Sequence, residues 1–177
     1  FNVTSIVTGT GYASTNYMVW GAFPVVLLFF AGLIGGCAGS TSCSIKVFRY
    51  QLLFSSIKAQ IRRIHSPNGV FAPRYAGRPV SEAVLSSVMA FFVLFIVTVG
   101  VVAMLLGLMG VDGITAVSGA VTAVANIGPG LGPEIGPTGN FSDLPTGAKW
   151  VLAFAMLIGR LELMSVYVLF TLRFWRG

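Results

Sequence analysis

Charge is what this sequence has least of. Only 9% of its 177 residues are Asp, Glu, Lys or Arg, while 55% are hydrophobic and the mean hydropathy is +0.87. A soluble domain carries about 25% charged residues, so a water-soluble globule is excluded and a membrane protein is expected. Histidine occurs once: His65 sits in a basic loop with no Ser, Cys or carboxylate placed to relay a proton, and reads as a surface residue. Cysteine occurs twice, and Cys37 and Cys43 make neither a disulfide framework nor, with no further Cys or His nearby, a zinc site. Both read as small packing residues. An intramembrane hydrolase would need a Ser–His or paired-Asp arrangement within the apolar segments, and neither is there. No enzyme is expected, and no cofactor. The start shows no basic region ahead of an apolar one, so no signal peptide is expected within the chain. Residues 1–7 read as the tail of a short element, and the sequence is expected to be a fragment.

The few charges that are present are sorted by position. Lys46, Arg49, Lys58, Arg62, Arg63, Arg74 and Arg78 fall in one stretch that contains no Asp or Glu. It lies between apolar segments, so the positive-inside rule makes it a cytoplasmic connection. Basic juxtamembrane surface attracts anionic lipid; membrane lipid is the expected partner and nucleic acid is not, despite the net charge of +6. Basic residues recur at Arg173 and Arg176, whereas Asp112, Glu134 and Asp143 fall on the opposite side with only Lys149 against them.

Three apolar stretches are long enough to cross a bilayer, which takes about 20 residues. The first runs from about Tyr17 to Gly36 and contains Pro24, a possible kink. It dissolves into "GLIGGCAGSTSCS", residues 32–44, with four glycines and a cluster of hydroxyls. A basic, moderately amphipathic segment follows, residues 45–64, expected as a helix at the cytoplasmic surface. Residues 65–80 read as a linker, punctuated by proline and glycine. The second spanning helix is expected from about Ser86 to Gly110 and the third over 148–172, with Trp150 and Trp175 near its ends as interfacial aromatics. Between them, residues 114–125 are apolar but too few to span, which suits a re-entrant helix. Asp112 lies near its start, where a helix dipole favours an acid.

Two glycine-rich loops recur in this pattern. "VTGTGYAS" (7–14) and "ANIGPGLG" (125–132) each precede a spanning helix, and Gly128 follows Gly11 by 117 residues. A phosphate loop is disfavoured, since no Lys follows the glycines and no strand pattern precedes them. A tight turn between membrane helices remains open for either loop alone. Two copies in one setting point to an ion path, because non-helical backbone at membrane depth must be buried in protein or line a watery cavity. A short helix that stops midway aims its partially negative end at the pore, and glycine frees the next carbonyls to replace a cation's hydration shell. Thr8, Thr10 and Asn126 offer further oxygen ligands or braces. Internal repeats of this kind characterise transport proteins.

"SIVTGTGYAS", "GGCAGSTSCSIKVFRYQLL", "ANIGPGLGP" and "GRLELMSVYVLFTLRFW" together resemble, in order and over nearly the whole chain, the C-terminal half of TrkH-type potassium-uptake proteins of the TrkH/Trk/HKT superfamily. The resemblance implies an all-α integral membrane protein of four repeats around one pore, each a helix–pore helix–filter loop–helix unit. This chain would hold the end of repeat three (1–64) and all of repeat four (81–177). Gly11 and Gly128 would be the filter glycines, flanked by Thr10, Tyr12, Asn126 and Ile127, with K+ as the transported ion. Residues 35–44 would form an intramembrane gate loop, including Gly35, Gly36, Gly39, Ser40, Thr41 and Ser42. Small-xxx-small packing at Gly32/Gly36 and Gly35/Gly39 is the alternative. The resemblance also implies a multi-pass protein of the bacterial inner membrane, a homodimer and a cytoplasmic nucleotide-binding regulatory subunit (TrkA-like).

Arg160 and Glu162 stand inside the third apolar stretch. A charge there costs at least about 2.5–3.5 kcal/mol, so a functional role is the default. At i and i+2 the two point to different faces, and Glu162 reads as structural. By resemblance Arg160 sits near the gate loop, where it would repel a cation and hydrogen-bond loop carbonyls; a tie between helices is the competing role. Sodium-permeable relatives and a non-conducting structural subunit are the rival functions.

Overall fold

The computed structural model describes residues 1–37, 44–67, 69, 71–161, 163–169 and 175. Its longest element, α4 (Glu82–Leu108), is apolar all round. One stripe, Val88, Phe91, Phe95, Thr98, Val102 and Leu106, is buried at helical spacing. The opposite face exposes Val93, Ile96, Met104 and Leu108. At about 1.5 Å per residue, its 27 residues exceed the roughly 30 Å of a hydrocarbon core. Among the described residues it is the one continuous helix long and apolar enough to cross a membrane.

Helix α5 (Gly113–Ala125) begins where the Asp112 carboxylate accepts from the Ile114 amide at 3.2 Å, capping the first turn. Its Ala, Gly, Ser and Thr residues let neighbouring backbones come close, and α5 packs between α4 and α6 (Thr146–Arg160). Ala148, Leu152 and Ala155 form the buried stripe of α6. With Leu106, Ala120, Ala123, Val124 and Ile135 they make the centre of the core.

The N-terminal part is built from shorter pieces. Helix α1 (Asn2–Thr8) leads through the first glycine loop to a 3-10 turn at Tyr17–Trp20 and then to α2 (Ala22–Leu33). The expected first spanning helix is therefore shorter: Gly21, at φ 100°, separates the 3-10 turn from α2. Pro24 falls in the first turn of α2, where its missing N–H leaves no bond unmade, and so gives no kink. Beyond α2 the chain leaves helical geometry and returns to its own starting point. The Gly35 amide donates to the Ile45 carbonyl at 2.9 Å, Ile45 N–H to Leu33 at 3.2 Å, and Val47 N–H to Gly36 at 3.2 Å. Helix α3 (Val47–His65) starts there and runs antiparallel along α4, with Tyr50 against Phe92 and the Arg49 guanidinium 3.9 Å from the Phe91 ring centre. The helix expected over 45–64 is thus present, with Leu52 buried, Tyr50 packed against the core and its later turns exposed. A two-residue hairpin, β1 (Arg74–Tyr75) and β2 (Arg78–Pro79), replaces the expected irregular linker.

The third spanning segment also departs from a single helix. Regular α6 ends at Arg160, and α7 (Leu163–Leu169) follows at a bend of 106°. The break falls beside the close approach of Gly159 to α5 and between the two charged positions. Glu162 and residues 170–172 lie outside the described residues.

Candidate ion-binding site

The two glycine loops are the same object in three dimensions. Helix α1 ends at Gly9, in the left-handed conformation, with Gly9 N–H on the carbonyls of Ile6 and Ser5 and Thr10 N–H on Ser5 at 3.0 Å. Helix α5 ends at Asn126, also left-handed, with its N–H on Ala123 and Thr122 and Ile127 N–H on Thr122 at 3.0 Å. Each is a Schellman-type cap, and every donor and acceptor pair is offset by the same 117 residues. Gly11 and Gly128 follow at equivalent places, with φ of 76° and 117°.

The loops then meet. A Cβ built on Gly128 would lie 2.8 Å from the Gly11 Cα, and one on Gly11 would lie 3.3 Å from the Gly128 Cα. Only glycine permits that backbone-to-backbone approach. Both short helices thus bring their C-terminal, partially negative ends to one point, an arrangement that favours a cation.

Behind each glycine a buried side chain holds the amide three residues on. Asn2 Oδ1 accepts from Ser14 N–H at 2.9 Å in the first loop, and Ser118 Oγ accepts from Leu131 N–H at 3.0 Å in the second. Ser118 also donates to the Leu131 carbonyl, and Thr122 Oγ1 donates to Pro129 at 3.0 Å. These bonds fix the loop backbone before any ligand arrives, the requirement for a preorganised electrostatic site.

Residues 1–175 match the TrkH family, described as cation transport proteins. The chain belongs to that family. It is 49% identical over 99% of its length to the Trk system potassium uptake protein TrkI of Halomonas elongata, and 37% identical over 99% to TrkH of Escherichia coli. The crystal structure of the potassium transporter TrkH from Vibrio parahaemolyticus superposes with a TM-score of 0.88 at 35% identity over 96% of this chain. The chain spans 36% of the length of each of these proteins. An all-α membrane fold is therefore established, and the relatives are transporters.

Within this TrkH-family fold the candidate filter residues take different parts. Gly11 and Gly128 are in contact. The Thr10 hydroxyl is within 3.1 Å of Ser5 Oγ and 3.2 Å of the Ser5 carbonyl, so it braces the cap. Tyr12 is exposed. The Asn126 side chain donates to the Met156 carbonyl at 3.0 Å, tying the second loop to α6. Ile127 is buried against Gly32, where an added Cβ would come within 3.0 Å of it.

The described gate candidates are Gly35, Gly36 and Arg160. Gly35 and Gly36 belong to the pinned stem of the interruption; Gly39, Ser40, Thr41 and Ser42 lie outside the described residues. Ser44 reaches the last carbonyl of α5, with its amide 2.8 Å and its hydroxyl 3.1 Å from Ala125 O, and the hydroxyl also meets the Gly32 carbonyl. From the other side Gly159 packs so closely that a Cβ would overlap the Val124 carbonyl. Arg160 is the next residue. Asn2 and Gly159 gave no sign in the sequence of a part in the site. Thr115, Ser118 and Thr122, the hydroxyls of an otherwise apolar short helix, carried a usable signal. Among the described residues no cluster of His, Cys, Asp and Glu is arranged for a metal ion.

Proposed function

We propose that this chain supplies two of four walls of a potassium pathway, with ions passing in channel-like fashion over backbone carbonyls beside Gly11 and Gly128. The observation that carries this reading is the meeting of the two glycines at the ends of two identically capped helices. Carbonyl oxygens held in place from behind can exchange for a hydration shell without reorganising. Thr10, Tyr12, Asn126 and Ile127 flank the ion path, and no resident cofactor is involved. The interrupted segment 35–44, with Arg160 next to it, forms the gate. Ser44 and Gly159 support that role, since both touch the last turn of the helix that carries the second filter loop. In the whole protein, a multi-pass component of the bacterial inner membrane, the remaining walls come from outside this chain. The transporter works as a homodimer with a TrkA-like nucleotide-binding subunit docked on the basic cytoplasmic surface.

The test is potassium uptake by the full-length protein in cells lacking their own uptake systems. Gly11→Ser and Gly128→Ser should each lower uptake and weaken preference for K+ over Na+, at membrane levels checked by immunoblot. Unchanged uptake and ion preference in both variants would overturn the filter assignment. Arg160→Ala should raise basal flux, and an unchanged rate removes Arg160 from the gate.

A further inference from the structure

A cavity of about 350 Å³ lies where α3 meets the 74–79 hairpin, and its lining is basic. Lys58 and Arg62, one helical turn apart on α3, face it with Arg74 from β1, and no acid lines it. Ser55 closes one wall by locking the hairpin to the helix, its hydroxyl donating to the Arg74 carbonyl at 2.9 Å and accepting from the Arg74 amide at 3.1 Å. The neighbouring cavity beyond Phe71 is different, since Arg63 shares it with Glu82. Three cations converging on a space with no counter-charge in its lining make a receptor for a compact anion, and paired Arg and Lys donors suit a phosphate group best.

The depth of the cavity says where that phosphate comes from. Helix α3 begins beside the residues that touch the end of α5, in the middle of the fold. Half a hydrocarbon core is about 15 Å, or about ten helical residues. From Val47 that distance brings the chain to the level of the headgroups around residue 57, where Lys58 stands. The start of α4 gives the same level, because Arg63 and Ala59 lie across from Glu82 and Leu85, just before the uncharged part of that helix. Alongside the basic row, Phe54, Ile57, Ile61 and Ile64 form an exposed apolar stripe on α3, which is the composition of a helix at a lipid interface.

We infer that the Lys58–Arg62–Arg74 cavity binds the phosphate headgroup of an anionic phospholipid from the cytoplasmic leaflet. Such a site would fasten the hairpin and the end of α3 to the bilayer, at the cytoplasmic end of the interrupted helix. It depends on the membrane placement of the chain and not on the filter reading, so a failure of one leaves the other standing.

The experiment uses the full-length protein in detergent, with lipid binding followed by native mass spectrometry and thermal stabilisation. Short-chain phosphatidylglycerol should bind and raise the melting temperature, whereas phosphatidylcholine of equal chain length should not. The triple variant Lys58→Gln, Arg62→Gln, Arg74→Gln should bind phosphatidylglycerol roughly a hundredfold more weakly, from the loss of three interfacial charges. Lys149→Gln, a basic residue on the opposite side, serves as the folded control and should bind as the parent does. Equal binding by parent and triple variant, or equal stabilisation by phosphatidylcholine, overturns the site. If inorganic phosphate alone reproduces the full shift and abolishes lipid binding at low millimolar concentration, the ligand is a soluble phosphate and the lipid assignment is wrong.

Discussion

Around Gly128 the supporting helix has 13 residues, ten of them buried between α4 and α6; around Gly11 it has 7, of which Asn2, Ser5 and Ile6 are buried. The first is held by close apolar packing, with Ser118 and Thr122 reaching forward to the loop. The second is held by polar side chains, with Asn2 gripping both the Ser14 amide and hydroxyl while donating to Thr15. The caps nevertheless agree bond for bond. A left-handed residue followed two places later by a positive-φ glycine is enough to set the turn locally, whereas the brace behind it is recruited from whatever the neighbouring elements offer. The glycines differ too. At φ 76° Gly11 lies near the region that Asn and Asp tolerate, while φ 117° at Gly128 is open to little but glycine.

That asymmetry can be broken by substitution, starting where backbone meets backbone. Gly159→Ala should have the largest effect, because its Cβ would overlap the Val124 carbonyl and crowd the Asn126 amide. A loss of about 3 kcal/mol is expected from such overpacking, read as a lowered melting temperature of the full-length protein together with reduced uptake. Gly128→Ala comes next, at about 2–3 kcal/mol, since left-handed strain adds to the 2.8 Å approach. Gly11→Ala should cost about 1–2 kcal/mol, and a result equal to or larger than that for Gly128→Ala would erase the proposed difference between the loops. Asp112→Ala removes only the cap of α5 and should cost about 1 kcal/mol with ion preference intact. If it changed selectivity as much as Ser118→Ala did, the brace behind Leu131 would have no special part in the site.

Much of the candidate site was legible before any coordinates. The low charge and the uncharged run of α4 announced a membrane helix, and Asp112 before a short apolar stretch announced α5 with its cap. The repeat could be read because each loop carries a glycine two places beyond the left-handed residue that ends its helix. Other features needed the fold. The Tyr17–Gly36 run is apolar throughout, yet Gly21 divides it, and composition does not register a backbone angle. The helix expected over 45–64 is present as α3, and what its sequence did not reveal is that the backbone hydrogen bonds joining residues 33–36 to 45–47 set its start beside the end of α2. The last apolar run bends after Arg160, beside the close contact of Gly159 with α5, in a stretch whose hydropathy alone predicts one rod.

The amino-acid order by itself determined the membrane environment, the clustering of basic residues at 46–78, the two glycine loops and their 117-residue spacing, because each follows from local composition and backbone freedom. Only the tertiary structure decided that Gly11 touches Gly128, that Ser44 and Gly159 both close on the end of α5, and that Lys58, Arg62 and Arg74 share one cavity. Those pairings join residues far apart in the chain. They depend on how small side chains let helices approach, a sum over many weak packing contacts that no single stretch of sequence contains.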